Sequence, residues 1–258
     1  MARRLRADGT PLDAAPWLLG SGFAPSVAFN GTTLLVTFSG GDIVGKRFDR
    51  DGNALGGDPI AINPDWGYGS RVASNGEDFL VVWSFGSDFT QWDPPNRVDV
   101  MAARVSASGE VLDPTPIAIA ATKADEVSPA LASNGRDYLV AYASGPQITG
   151  QYVQRDGTMA GPPFAIGAAQ AGWRPAIAVA GDALGYWVAW DGTMRLARVD
   201  AHGVELFPEP LAVGSGPALL GTGGDGAELA YARDVEALTS KVVTRAIAAH
   251  GRARAAGR

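Results

Sequence analysis

SRVASNGEDFLVVW, residues 70–83, reads as a strand, a tight turn and a second strand. Asn75-Gly76 is a dipeptide that tolerates the positive φ angles of a two-residue hairpin. Phe79 to Trp83 is apolar on both faces, and such a strand must be covered on both sides. The segment recurs as PSVAFNGTTLLVTF (25–38) and PALASNGRDYLVAY (129–142), and more weakly as PAIAVAGDALGYWVAW (175–190) and PALLGTGGDGAELAY (217–231).

A second element follows each hairpin: KRFDRDGNAL (46–55), ARVSASGEVL (103–112), QYVQRDGTMA (151–160) and ARVDAHGVEL (197–206). RRLRADGTPL (3–12) precedes the first hairpin and TRAIAAHGRA (244–253) closes the chain. A short apolar strand completes each unit: APWLLG, DPIAIN, TPIAIA, PPFAIG and EPLAVG. From glycine to glycine of the second turn the spacing is 43, 57, 48, 46 and 48 residues. Four short antiparallel strands in a unit of that length predict a β-propeller blade. Five hairpins predict an all-β, five-bladed β-propeller, a single domain over residues 1–258.

The inner strands are small and apolar, as a crowded axis requires. Each second strand ends in an aromatic (Phe38, Trp83, Tyr142, Trp190, Tyr231), which at one register per blade predicts core packing. The chain starts with a third and fourth strand and finishes with a first, second and third. APWLLG is therefore expected to serve as the outer strand of the last blade and close the ring. One third-type strand is then surplus, which also suits a segment of a longer array.

Composition agrees with this architecture. Hydrophobic residues make up 46% of the 258, charged residues 19%, with 34 Gly and 17 Pro, a balance that favours short strands and tight turns. The formal net charge of −6 argues against a nucleic-acid partner. There is no cysteine, hence no disulfide or Cys-based metal site. No apolar run is long enough to span a membrane, and MARRLRADG lacks the apolar stretch of a signal peptide. The DRDG turn (49–52) lacks the alternating oxygen ligands of a calcium loop, so neither a metal nor a cofactor is expected. A monomer is expected.

The pattern P-x-V-A-x-N-G-x-x-x-L-V-x-W, then R-V-x-x-D-G-x-x-L and P-I-x-I, resembles the degenerate propeller repeats of bacterial extracellular and surface proteins. That resemblance covers nearly the whole chain. It implies the fold and an exported setting, and carries little about activity.

Propeller geometry puts the tight turns on one face. The connections between blades, and between second and third strands, lie on the other. Before the inner strands these connections hold Phe23, Tyr68, Val127, Trp173 and Ser215, with Trp66 and Arg174 close by. One connection is enlarged: residues 84–99 contain SDFTQWDPPN (87–96), whose prolines restrain the backbone around Phe89, Trp92 and Asp93. Aromatic rings among Asp, Asn and Arg suit a sugar, whose C–H face stacks on the ring, or a protein hot spot. The expected site is Phe23, Trp66, Tyr68, Phe89, Trp92, Asp93, Trp173 and Arg174, holding a glycan or an extracellular protein without catalysis. The alternative is a glycoside-cleaving enzyme that uses loop carboxylates such as Asp93 and Glu126, from a set that includes Asp65, Asp88, Asp99 and Asp125. A third reading is a scaffold segment of a larger surface protein. His202 and His250 fall in tight turns on the opposite face, where turn chemistry accounts for them.

Overall fold

A computed structural model describes residues 1, 3–6, 8–16, 19–86, 97–169, 174–191, 194–207, 215–221, 226–236 and 239–248, the last three segments as backbone only. The described residues form antiparallel strands and turns, without a helix. Blade 1 comprises β1 (Phe23–Phe29), β2 (Thr33–Ser39), β3 (Gly41–Asp49) and the first part of β4 (Ala54–Ser74). β4 serves two blades. Ala54 to Asn63 pair along β3, while Gly67 to Ser74 pair along β5 (Phe79–Gly86) as the inner strand of blade 2. β6 (Val98–Val105) and β7 (Ile117–Ala120) complete that blade. Blade 3 is β8 (Glu126–Ser133), β9 (Tyr138–Ser144), β10 (Gln147–Val153) and β11 (Phe164–Ala168). Blade 4 is β12 (Ile177–Asp182), β13 (Gly185–Trp190), β14 (Arg195–Asp200) and β15 (Gly203–Leu206). Blade 5 shows three strands among the described residues, β16 (Ser215–Gly221), β17 (Gly226–Glu236) and β18 (Thr239–Ala248). This is a β-propeller, as the repeat predicted.

The core is a series of blade-to-blade seams. Leu35, Ile43 and Ile62 of blade 1 meet Val72, Phe79, Val81 and Trp83 of blade 2. Val82, Val100 and Ile119 meet Leu131, Val140 and Tyr142, and Leu139, Ile148 and Ile166 meet Tyr186, Val188 and Trp190. Phe38, Trp83, Tyr142 and Trp190 are all buried, as their common register predicted. Tyr231 lies where only the backbone is described.

The N-terminal residues form a half-blade. Leu5 bridges Pro11, and Arg4 pairs with Asp13 at 2.7 Å, just as Arg104 pairs with Asp113 at 2.8 Å in blade 2. Leu19, in the APWLLG segment, packs on Val36 and Phe48 of blade 1. That is the seat a fourth strand takes against the following blade, as Ile62 does against Val72 and Val81. Phe23, Val27 and Phe29, on the side of β1 away from blade 2, are exposed.

Two local readings need correction. The Asn-Gly pairs do not occupy the two tip positions of their hairpins. Asn30, Asn75 and Asn134 stand one place earlier, where each side-chain oxygen accepts N–H groups two and three residues on. The following glycine alone takes the positive φ, 101°, 95° and 89° in turn. Asparagine's carbonyl mimics a backbone acceptor, and that competes successfully with its tolerance of the left-handed region. The inner strands are also not wholly apolar, contrary to expectation: β8 begins with Glu126 and β12 ends with Asp182.

Candidate functional site

On the face opposite the tight turns, sheet register sets the order of residues. Gly41 pairs with Gly67, Gly67 with Phe85, and Phe85 with Asp99, a line across four strands of blades 1 and 2. At about 4.8 Å per strand, Asp99 lies about 10 Å from Gly67. Trp66 flanks this line. Its ring stands over Gly41, 2.8 Å from where a Cβ would be, and the side chain remains 54% exposed. Only glycine leaves room for the indole there.

Tyr68 is half-buried and packs against the cluster that contains Val98 and Val127. Its hydroxyl accepts a hydrogen bond from Nη1 of Arg174 at 3.2 Å. Blade 2's approach is thus tied to blade 4's across the mouth of the axis. Phe23, 57% exposed, stands at the same end of β1. The structure therefore places Trp66, Tyr68, Arg174 and Phe23 on one face, with direct contact between Tyr68 and Arg174. Phe89, Trp92, Asp93 and Trp173, together with Asp88, lie outside the described residues.

The carboxylates separate into two kinds. Glu126 is fully buried, and its oxygens accept from the backbone N–H (3.2 Å) and the hydroxyl of Thr122. It closes the loop that leads into β8 and is no surface carboxylate, contrary to its expected place among the loop acids. The reason is the strand boundary: Glu126 is the first residue of the inner strand β8, not part of the connection before it. Asp99 is half-buried, and burial pushes its carboxyl above the ordinary value; Arg97 opposes this and the charge of Asp125 adds to it. Asp125 is exposed and accepts the N–H of Val98 at 3.2 Å, which holds it beside the start of β6. Asp99 and Asp125 are the described carboxylates of this face that influence one another.

Below the mouth, the inner strands of blades 1, 2 and 3 each have a bulge whose left-handed residue is Ala24, Gly69 or Ser128, with φ of 49°, 68° and 58°. The bulge lets the strand turn from the rim onto the axis. Ser26 then reaches across to the N–H of Val72 at 3.1 Å. Arg71, the residue after this bulge in blade 2, is a functional candidate that sequence reasoning missed. Its side chain remains accessible to solvent, yet the protein packed around it lowers its guanidinium from the ordinary arginine value, and Nη1 donates to the carbonyl of Ser70 at 3.0 Å. The signal was available: Arg71 replaces the Ser or Ala of the other inner strands.

No family model matches the chain, and no curated protein does. Solved structures do resemble it. A protein of unknown function from Bacteroides caccae superposes with a TM-score of 0.57 at 16% identity, covering 95% of this chain and 85% of its own. A thermostable family-43 glycoside hydrolase gives 0.54 at 11% identity, over 91% and 92%. A GH43_1 enzyme from Xanthomonas citri, complexed with xylose, gives 0.50 at 14% identity, over 90% and 89%. At these identities the likeness extends to the fold.

Proposed function

We propose that the protein is a carbohydrate-directed propeller that cleaves a glycosidic bond at the loop face. Asp99 would be the proton donor, and Asp125 the second carboxylate. The observation that carries this reading is Asp99 itself: a carboxyl pushed up by burial beside another carboxylate, on the rim that also holds Trp66 and Tyr68. Glycoside cleavage needs one carboxyl that keeps its proton and one that does not, facing the same bond. Trp66 offers a ring for the C–H face of a sugar, and Arg174 offers hydrogen bonds nearby. Two of the solved structures with this fold are family-43 glycoside hydrolases, which fits the reading without carrying it.

Binding without cleavage is the second reading, and Glu126 favours it. The acid of the third inner strand is sealed by Thr122, so the axis itself offers no open carboxylate there. One experiment separates the two. The protein is incubated with a panel of polysaccharides and aryl glycosides, and new reducing ends are measured alongside affinity electrophoresis. Cleavage predicts turnover that Asp99→Asn lowers about 10²–10⁴-fold, the usual weight of a general acid. Turnover undiminished in Asp99→Asn refutes the assignment. Retention on a glycan gel without turnover, weakened by Trp66→Ala, selects the binding reading.

A further inference from the structure

Among the described residues, the opposite face departs from its pattern at the junction of blades 3 and 4. Third strands carry arginine at a common register: Arg4 in the N-terminal half-blade, then Arg47, Arg104 and Arg198. Blade 3 has Tyr152 there. At the first two complete junctions this arginine latches the next blade. Gly109, in a turn of blade 2, lies so close over Arg47 that a Cβ would stand 2.6 Å from Nε, and Arg47 Nη1 donates to the carbonyl of Ala107 at 2.9 Å. Gly157 of blade 3 lies over Arg104 in the same way, with a Cβ position 2.9 Å from Nε, and Arg155 of that turn pairs with Glu77.

Between blades 3 and 4 the latch is missing. Tyr152 and Ala201 stand where Arg104 and Arg155 stand one blade earlier, and a Cβ on Gly203 would meet nothing within 4 Å. Phe164 replaces the isoleucine that supports the turn (Ile60, Ile117) and packs instead on Tyr152, with ring centroids 5.1 Å apart. The result is an open cleft of about 500 Å³, lined by Tyr152, Tyr186, Arg136, Asp137, Asp200 and Ala201.

We propose that this cleft binds a guanidinium group, the arginine side chain of another molecule, seated where the protein's own arginine sits at the other junctions. Tyr152 supplies a ring face for the cation. The Ala201 carbonyl is the counterpart of the Ala107 carbonyl that Arg47 uses. Arg136 is matched by Asp137 at 2.9 Å, so Asp200 supplies the spare negative charge of the lining. One Asp200 oxygen takes the N–H of His202 at 2.7 Å, which fixes the carboxylate, and its charge reaches Tyr152 strongly enough to help raise the phenol. A planar guanidinium can stack on the ring and donate to both acceptors at once, which an ammonium does less well.

The test is a titration of the full chain, followed by amide NMR shifts, with acetyl-arginine amide, acetyl-lysine amide and a hexapeptide containing one arginine. Saturable shifts should cluster at residues 134–137, 152–154, 184–186 and 200–203, with the arginine amide bound at least about five-fold more tightly than the lysine amide. Asp200→Asn should weaken binding about five-fold or more. Tyr152→Arg should abolish it with the melting temperature maintained, because it restores the arrangement around Arg104. If that variant does not fold, Asp200→Asn alone decides. A tighter peptide identifies a polypeptide source, and equal affinities a small guanidinium compound. Shifts that do not saturate, or that are unaltered in both variants, overturn the proposal.

Discussion

Arg198→Met should destabilise the propeller by up to about 4 kcal/mol at pH 7, and the penalty should shrink steeply in acid. Arg198 and Asp182 join β14 to the end of β12 through two hydrogen bonds of 2.7 and 2.8 Å, with both side chains 5% exposed. The guanidinium also lies 4.9 Å from the centre of the Trp187 ring. For the Asp182 carboxyl, burial is the largest influence and acts upward, and the arginine together with the N–H of Leu184 overcomes it to leave the carboxyl below its ordinary value. Without Arg198 the burial remains, so the carboxyl either stays charged without a counter-charge, held by the N–H of Leu184, or takes up a proton. Protonation caps the penalty. Each pH unit above the ordinary carboxyl value costs about 1.4 kcal/mol, and pH 7 lies about three units above it. The cap is therefore about 4 kcal/mol at pH 7 and about 1.5 kcal/mol at pH 5. In the parent protein the sign is opposite: a lowered folded value adds stability that is present above about pH 4 and is lost as pH falls through the folded value. The parent's contribution from this group is thus flat between pH 7 and 5, and the histidines cancel in the comparison. Urea unfolding of both proteins at pH 7, 6 and 5 measures the difference. A penalty that is unchanged across that range, or below about 1 kcal/mol at pH 7, refutes the reasoning.

Trp83→Ala should cost about 3–5 kcal/mol in the same assay. The side chain is fully buried at the blade 1–2 seam, and its indole N–H has no hydrogen-bond partner, so the loss is one of packing; a cost under 1 kcal/mol refutes that placement. Two glycines on one strand should behave differently. A Cβ on Gly67 would stand 2.8 Å from Cδ1 of Trp83 and 3.1 Å from Ile43, so Gly67→Ala should cost about 1–3 kcal/mol by overpacking. Gly69 has open space around that position and φ of 68°, so Gly69→Ala should cost only the left-handed penalty, about 1 kcal/mol. Equal costs for the two would remove the packing argument at Gly67.

The blades were legible because their second strands must be apolar on both faces. FLVVW and YLVAY leave no polar side to expose, and only a structure that covers each sheet twice accommodates five of them. The aromatic at the end of these strands was equally readable, since one register per blade leaves a common packing role. Turn geometry was less readable. Asn-Gly carries two propensities, and the side-chain bonds of Asn30, Asn75 and Asn134 show which prevails. Of the expected site, Trp66, Tyr68, Phe23 and Arg174 share a face because blade topology dictates where a connection emerges. What the sequence concealed was depth. Asp125 and Glu126 are neighbours, yet one is exposed and the other fully buried, because successive residues of an extended chain point opposite ways and the inner strand begins between them.

Departures from a repeat carry different weight on the two faces of this molecule. On the loop face, variation costs the scaffold less, because the seams below are built chiefly by the strands: Trp83 and Trp190 are buried among strand residues of adjoining blades. The enlarged connection of blade 2 is therefore weak evidence of a site by its length, and gains weight only from the company of Trp66, Tyr68 and Asp99. On the turn face the reverse holds. There the arginine–glycine latch is part of the seam, and with Tyr152 in place of Arg the cleft is about 500 Å³, against about 170 Å³ beside Arg47 at the blade 1–2 junction. The blade 3–4 seam beneath it is nonetheless closed by Ile148, Ile166, Val188 and Trp190. This junction keeps its core, lacks only the outer latch, and presents an open, acid-edged cleft in its place. Restoring the arginine is accordingly the more searching perturbation: if Tyr152→Arg stabilises the protein and changes no binding, the cleft is drift in the repeat and the site lies on the loop face alone.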